Sequence, residues 1–290
     1  MKTDLRPLLD HGLQESVDLM NLGFSDYFIH IELTLTMFLN MVRVDGIDLG
    51  SSRVIDVDGK AAGVALIARR GWTSRLAAMC LAPASRGRGA GRATMDILLT
   101  EALNRNDHSM VLEVIEHNAP GVRLYESCGF KTRRRLVSYE GTFPQGDAAA
   151  PLQPVDIQEV ARWVTTHGLE DLPWQLSGES LVQSGPPSTA WGLDQAYIVL
   201  SNPDAEQVAI RSLIVLPESR GQGQAGRPVA QGRSVKLSEQ KVDHPRFMPG
   251  RSWRDIRKSW ISARRIVAAA NEGADSLTGS RLEVKGRSTR

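Results

Sequence analysis

Along the first half of the chain, apolar residues follow a helical spacing and then a strand spacing. Leu13, Val17 and Met20 recur at helical spacing over residues 10–21. Met37, Phe38, Met41 and Val42 do so over residues 34–44, where Asp45-Gly46 supplies a stop. The spacing then shortens. Residues 52–56 read as a strand, Asp58-Gly59 as a hairpin turn and residues 63–68 as the returning strand. A third strand covers residues 75–81. The glycine-rich segment 83–92 follows it and opens a helix to about residue 104, with Ala93, Ile97, Leu98 and Ala102 on one face. Residues 111–115 form an apolar-rich strand broken only by Glu113. A short helix at 120–128 stops at Gly129, and a last strand covers 131–140. This order predicts an α/β (α+β) domain with a mixed sheet and a βαβ step at its centre, complete by residue 142.

Residues 143–155 have linker composition, with Pro144, Gly146, Pro151 and Pro154 around three alanines. Beyond them Ile157, Val160, Ala161 and Val164 form a helical face. Two strands follow, at 196–200 and 208–216, and then a second glycine loop. The pattern strand–Pro–x–x–Arg–Gly–x–Gly–x–small–Gly thus occurs twice, with Arg86 and Arg220 134 residues apart. The repeat fails after Gly226. Arg92-Ala93-Thr94-Met95 continues a helix, but Arg227-Pro228-Val229-Ala230 places a helix-breaking proline at the matching point. The expected organisation is an intact domain at 1–142, a linker at 143–155, a partial second copy at 156–226 and a basic, core-poor, poorly ordered tail at 227–290.

Charge sharpens that boundary. The 290 residues carry a net +2, but residues 1–220 hold 20 Lys+Arg against 27 Asp+Glu, and residues 221–290 hold 15 against 6. The chain therefore joins an acidic body to a basic tail. Trp253, Ile256, Trp260, Ala263 and Val267 fall on one face of a basic helix there, which leaves a membrane-surface or nucleic-acid module as an alternative reading. A nucleic-acid partner is not the expectation, because the asymmetry marks the point where the repeat breaks. No apolar run is long enough to span a bilayer. The N-terminus lacks a secretory pattern, so a cytoplasmic location is expected. Two cysteines, Cys80 and Cys128, are too few for a disulfide framework, and the six histidines lie too far apart for a zinc site. No metal is expected.

A strand that ends in a glycine loop opening a helix is suited to a phosphate group. Gly87, Gly89 and Gly91 let the backbone bend and approach a ligand closely. The amides of the first helical turn then point at the anion, and Arg86, Arg88 and Arg92 add charge. The loop is neither a Walker A sequence nor a dinucleotide fingerprint.

Arg86-x-x-Gly89-x-Gly91 resembles the acyl-CoA pyrophosphate loop of the GCN5-related N-acetyltransferase (GNAT) family. The later segment from Asn118 to Phe130, with Leu124-Tyr125-Glu126 and Gly129-Phe130, is similar to the family's second hallmark. The resemblance covers residues 4–142 in full and the second copy up to Gly226. It implies a tandem GNAT fold with a mostly antiparallel sheet and flanking helices, the second copy truncated. It also implies acetyl-CoA as acyl donor and direct attack by a primary amine on a small molecule or peptide. Met79, Cys80 and Leu81 would line a splay that takes the pantetheine arm. Gly87, Arg88, Gly89, Ala90, Gly91 and Arg92 would hold the pyrophosphate behind Arg86, and Asn118 would hydrogen-bond the arm. A homodimer is possible. Among tandem members, mycothiol synthase has a similar layout and length and stands as an alternative, as does acyl-CoA binding without turnover.

Transfer from a thioester to an amine needs a neutral amine, a donor for the oxyanion and a proton for the leaving thiolate. The resemblance implies Tyr125 as that proton donor, a neutral phenol at pH 7. It implies Glu113 as the base, with Glu116 and His117 as alternates, and a backbone amide near residues 79–81 as oxyanion donor. Neither cysteine has an activating partner, so both read as small buried residues. Arg133-Arg134-Arg135 reads as a strand exposing alternate charges, and acceptor specificity is expected from residues 20–45.

Overall fold

The computed structural model describes residues 1–29, 31–139, 152–205, 207–225, 239–242 and 259–266. The first half opens with strand β1 (Thr3–Pro7), then helices α1 (Leu13–Gly23) and α2 (Leu35–Asp45). Val17 and Met20 of α1 and Phe38 of α2 are buried, as their spacing predicts. Thr34 caps α2 by accepting from the Met37 amide at 3.2 Å, and Gly46 ends it at φ 67°. Strands β2 (Arg53–Val57), β3 (Lys60–Arg70) and β4 (Thr73–Leu81) then form an antiparallel meander. Helix α3 (Ala90–Asn104) crosses to β5 (Ser109–Ile115), which lies parallel to β4. Helix α4 (Ala119–Ser127) and β6 (Lys131–Tyr139) complete this half.

Two apolar layers enclose the sheet. On one face Leu76, Leu112 and Val114 pack with Met95, Leu98 and Ala102 of α3. On the other, Val64, Leu66 and Cys80 pack with Val17 and Phe38 of the first two helices. Strand alternation sends successive residues to opposite layers.

The second half repeats the meander as β7 (Gln153–Val155), α5 (Ile157–His167), α6 (Gly178–Leu181), β8 (Thr189–Leu193), β9 (Ala196–Leu200) and β10 (Ile210–Val215). Its four strands run β10-β9-β8-β7, matching β4-β3-β2-β1.

The tail holds the main departure from the sequence reading. Strand β11 (Glu239–Val242) pairs with β6, and β12 (Ser259–Ile266) lies antiparallel between β5 and β6. Residues 260 and 263 are therefore in a strand rather than on a helix face. Trp253, Ile256 and Val267 lie outside the described residues, as does the linker over 143–151. The reason is tertiary. β5 and β6 leave two open backbone edges, and a strand satisfies both where a helix satisfies neither. The first sheet thus has eight strands, β1-β2-β3-β4-β5-β12-β6-β11. It is mixed and mostly antiparallel.

Candidate functional site

The site begins where β4 leaves β5. Between β3 and β4 the register steps from Leu66↔Ala78 to Ile67↔Leu76, so Ala77 is one residue too many and bulges. The parallel ladder to β5 runs from Thr73↔Ser109 only as far as Leu76↔Leu112. Beyond it β5 stays paired to β12 through Ile115, while β4 turns away with β3. The splay that the resemblance implies is present, and Met79, Cys80 and Leu81 lie along the open stretch.

A cleft of about 320 Å³ fills that gap. It brings together Met79, Cys80, Leu81, Arg86, Gly91, Asn118 and Tyr125 of the sequence-predicted set. Phe24, Tyr27 and Phe28 form its other wall. They contact one another edge to face, at centroid distances of 5.3 Å and 5.4 Å. Sequence reasoning placed specificity in residues 20–45 without naming these rings. The aromatic cluster just past the end of a helix was the available signal. Gly23 permits the close approach of α1, since a Cβ there would stand 2.7 Å from Cys80 Cβ and Sγ.

The loop has the geometry its glycines predict. Gly87 has φ 71°, and Gly89, the N-cap of α3, has φ 89°. No side chain caps this helix. Among the described residues, the amides of Gly87, Arg88, Gly89, Ala90, Gly91 and Arg92 have no hydrogen-bond acceptor. An anion at a helix N-terminus would satisfy them. The arginines are engaged elsewhere. Arg86 donates to the carbonyls of Leu81 (2.9 Å) and Gly23 (2.7 Å) and pairs with Asp26 (2.8 Å), whose carboxyl it lowers. It is the tie that fixes the loop to β4 and α1. Arg88 pairs with Asp58 at 3.2 Å and Arg92 with Asp96 at 3.0 Å.

Asn118 caps α4, accepting from the Gly121 amide at 3.1 Å. Burial raises the Tyr27 phenol, and the nearby Asn118 side chain offsets part of that rise. Tyr125 packs edge-on to Phe130 at 6.0 Å. Burial pushes its phenol well above the usual range, and Tyr27, Cys128 and Cys80 push it the same way. Tyr125 therefore keeps its proton at neutral pH. Burial likewise drives the Cys80 thiol up to about 11. Both cysteines are buried and outside any disulfide.

Glu113 does not join this cleft. Leu112 and Val114 face the layer that holds Tyr125, so Glu113 projects to the other face. There its carboxylate meets Arg75 at 3.4 Å, and Arg75 also reaches Asp45 on α2 at 3.6 Å. The alternates are also placed outside it: Glu116 pairs with Arg135 at 2.9 Å, and His117 is exposed. The arginine run divides, with Arg134 paired to Asp171 and Arg133 exposed. Among the described residues no group of His, Cys, Asp or Glu is arranged to hold a metal. No helix among them is long and apolar enough to cross a membrane.

Residues 24–130 match the model of the Acetyltransferase (GNAT) family. The streptothricin acetyltransferase of Streptomyces lavendulae is 33% identical over 98 residues, which are 33% of this chain and 52% of that protein. The chain thus spans about half the length of this curated relative. Among solved structures, a tandem GNAT protein from the clavulanic acid biosynthesis pathway superposes with a TM-score of 0.62 at 14% identity. The match covers 92% of this chain and 98% of the other. A GCN5-related N-acetyltransferase from Sphaerobacter thermophilus gives 0.64 at 16%, over 92% and 95%. These two likenesses show a shared tandem GNAT fold.

Proposed function

We propose, from the premise that the first half is a GNAT-family acetyltransferase domain, that this chain transfers an acetyl group from acetyl-CoA to a primary amine. The observation that carries the reading is the splay itself. A strand leaves its neighbour, a cleft opens there, and six acceptor-free amides stand at the same strand's end. These fit the donor's two unlike parts, an extended polar arm and a pyrophosphate. When bound, acetyl-CoA supplies an activated thioester.

The chain's own residues divide the remaining work. The amides of residues 87–92 bind the pyrophosphate, and Met79, Cys80 and Leu81 offer backbone to the arm. Asn118, held by its cap bond, lines the cleft and would hydrogen-bond the arm. Tyr125 supplies the proton that the leaving sulfur takes up, and its raised pKa keeps that proton available. Glu113 lies on the opposite face of β5, the side from which an amine would reach the splay. There it would receive the amine's proton.

Tyr125→Phe tests the reading. General-acid help of this kind amounts to about 10²–10⁴-fold. We expect kcat to fall by that factor while calorimetry shows acetyl-CoA affinity within about twofold of the parent. Unchanged turnover would remove Tyr125 from the chemistry.

A further inference from the structure

We infer that the acceptor amine binds in the cleft between the two halves, and that it carries an acidic group beside its amine, as an amino acid or short peptide does. This rests on the acetyltransferase reading and names the class of its second substrate. The cleft has a volume of about 680 Å³. Its first wall is Thr73 and Arg75 of β4 with Val111–Glu113 of β5. That is the paired stretch immediately before the strands part, and Arg75 and Glu113 face the side away from α3. Its second wall comes from residues 164–166, 168–174 and 177–179 of the other half.

The walls are fastened together. The Trp174 indole N–H donates to the Asp45 carbonyl at 2.7 Å. The Arg70 guanidinium lies 3.9 Å over the Trp174 ring and donates to the hydroxyls of Ser177 (2.8 Å) and Ser180 (2.7 Å). These contacts hold residues 174–180 against β3 and α2, so the cleft is a fixed feature of the fold.

Its charges show what it would hold. Arg75 is shared by Asp45 and Glu113, Arg134 is paired with Asp171, and Arg70 is spent on Trp174 and the two serines. Glu179, also on the lining, has the Ser177 hydroxyl and the Arg70 charge beside it. Two charges are left over. Glu170 and Arg133 both line the cleft, both are exposed, and neither has a partner among the described residues. A ligand with an ammonium and a carboxylate complements both. A simple diamine would satisfy Glu170 and set a positive charge near Arg133, which counts against it.

Lysine and cadaverine differ only in the carboxylate, so they form the test pair. Each is titrated calorimetrically into the full chain in the presence of coenzyme A. We expect lysine to bind at least tenfold tighter than cadaverine. Arg133→Gln should erase that preference, and Glu170→Gln should weaken both ligands. Both side chains are exposed, so neither replacement removes a packed group. Equal binding, no binding of either probe, or a preference that survives Arg133→Gln overturns the inference. Acetyl-CoA, titrated separately, tests the underlying reading. Acetyl-CoA binding without lysine preference overturns this inference alone, and lysine preference without acetyl-CoA binding overturns the acetyltransferase reading.

Discussion

In the first half Arg86 ties its glycine loop to the carbonyls of Leu81 and Gly23. In the second, Arg220 ties its loop to those of Val215 and His167. The acceptors are equivalent: the residue five positions back, and the last residue of each half's first helix. The repeat extends further. Gly221 and Gly223 have φ 78° and 74°, like Gly87 and Gly89. β10 carries an extra residue at Arg211, 134 positions after the Ala77 bulge of β4. A cleft of about 410 Å³ runs beside β10, between Val164, His167 and Leu213, where the first half has its splay. The difference lies in what closes the cleft. Against β4 stand β5 and α4, which bring Leu112, Asn118 and Tyr125. Among the described residues nothing equivalent stands against β10. The loop and bulge are local devices that can be duplicated in a short segment. A site of the proposed kind also needs the later strand and helix, which among the described residues only the first half has.

The largest test of this contrast is Tyr125→Phe. No described residue of the second half occupies a matching position, so no second centre should rescue turnover. A residual rate that falls further when Arg220→Ala is added would mean that the second half also catalyses.

Next comes the strand that closes the first sheet from a distance. Ala263 pairs with Leu112 on one side and Thr132 on the other. Ala263→Pro places a residue without an amide hydrogen and with a fixed φ inside a central strand. We expect a loss of at least about 2 kcal/mol, seen as a fall in Tm of roughly 5 °C or more. An unchanged Tm would detach the tail from the first half.

The two ties give a matched pair. Arg86→Ala removes the bond that sets the loop on β4, and acetyl-CoA affinity should fall about tenfold, the equivalent of 1.4 kcal/mol. Arg220→Ala removes the same geometry from the other half and should leave kcat and acetyl-CoA affinity unchanged. Equal effects on binding would show that both loops hold the coenzyme. The smallest effect is expected at the glycines. Gly89→Ala and Gly223→Ala each force a side chain into left-handed backbone at about 1–2 kcal/mol. A Cβ meets nothing closer than 3.9 Å at Gly89 and nothing within 4 Å at Gly223. Their stability losses should therefore match, with acetyl-CoA binding reduced only by Gly89→Ala.

Much of the first half was legible because its signals are local. The helix faces at Val17, Met20 and Phe38, the Asp58-Gly59 turn and the helix stop at Gly129 each act within a few residues. Strand β1 was missed because it is short and edge-lying. Its Arg6 is fixed by Asp56, a partner fifty residues away. β12 was missed for a stronger version of the same reason, since its partners Leu112 and Thr132 lie more than 120 residues back. The arginine loop was found for its charge, but its side chains serve other ends: Arg86, Arg88 and Arg92 all meet carboxylates, and the amides are left without acceptors among the described residues.

By itself the sequence determined the two glycine loops, the strands that feed them and the identities of Asn118 and Tyr125. These depend on backbone freedom and short-range hydrogen bonds that a few adjacent residues encode. Only the tertiary structure decided that Glu113 turns away from Tyr125 to meet Arg75. It alone decided that the tail supplies the strand beside β5, and that the second half joins in forming a cleft with Glu170 and Arg133 unspent. Each of these is a pairing of charges or backbone edges across long separations. Such pairings are settled by which partners the folded chain brings within reach.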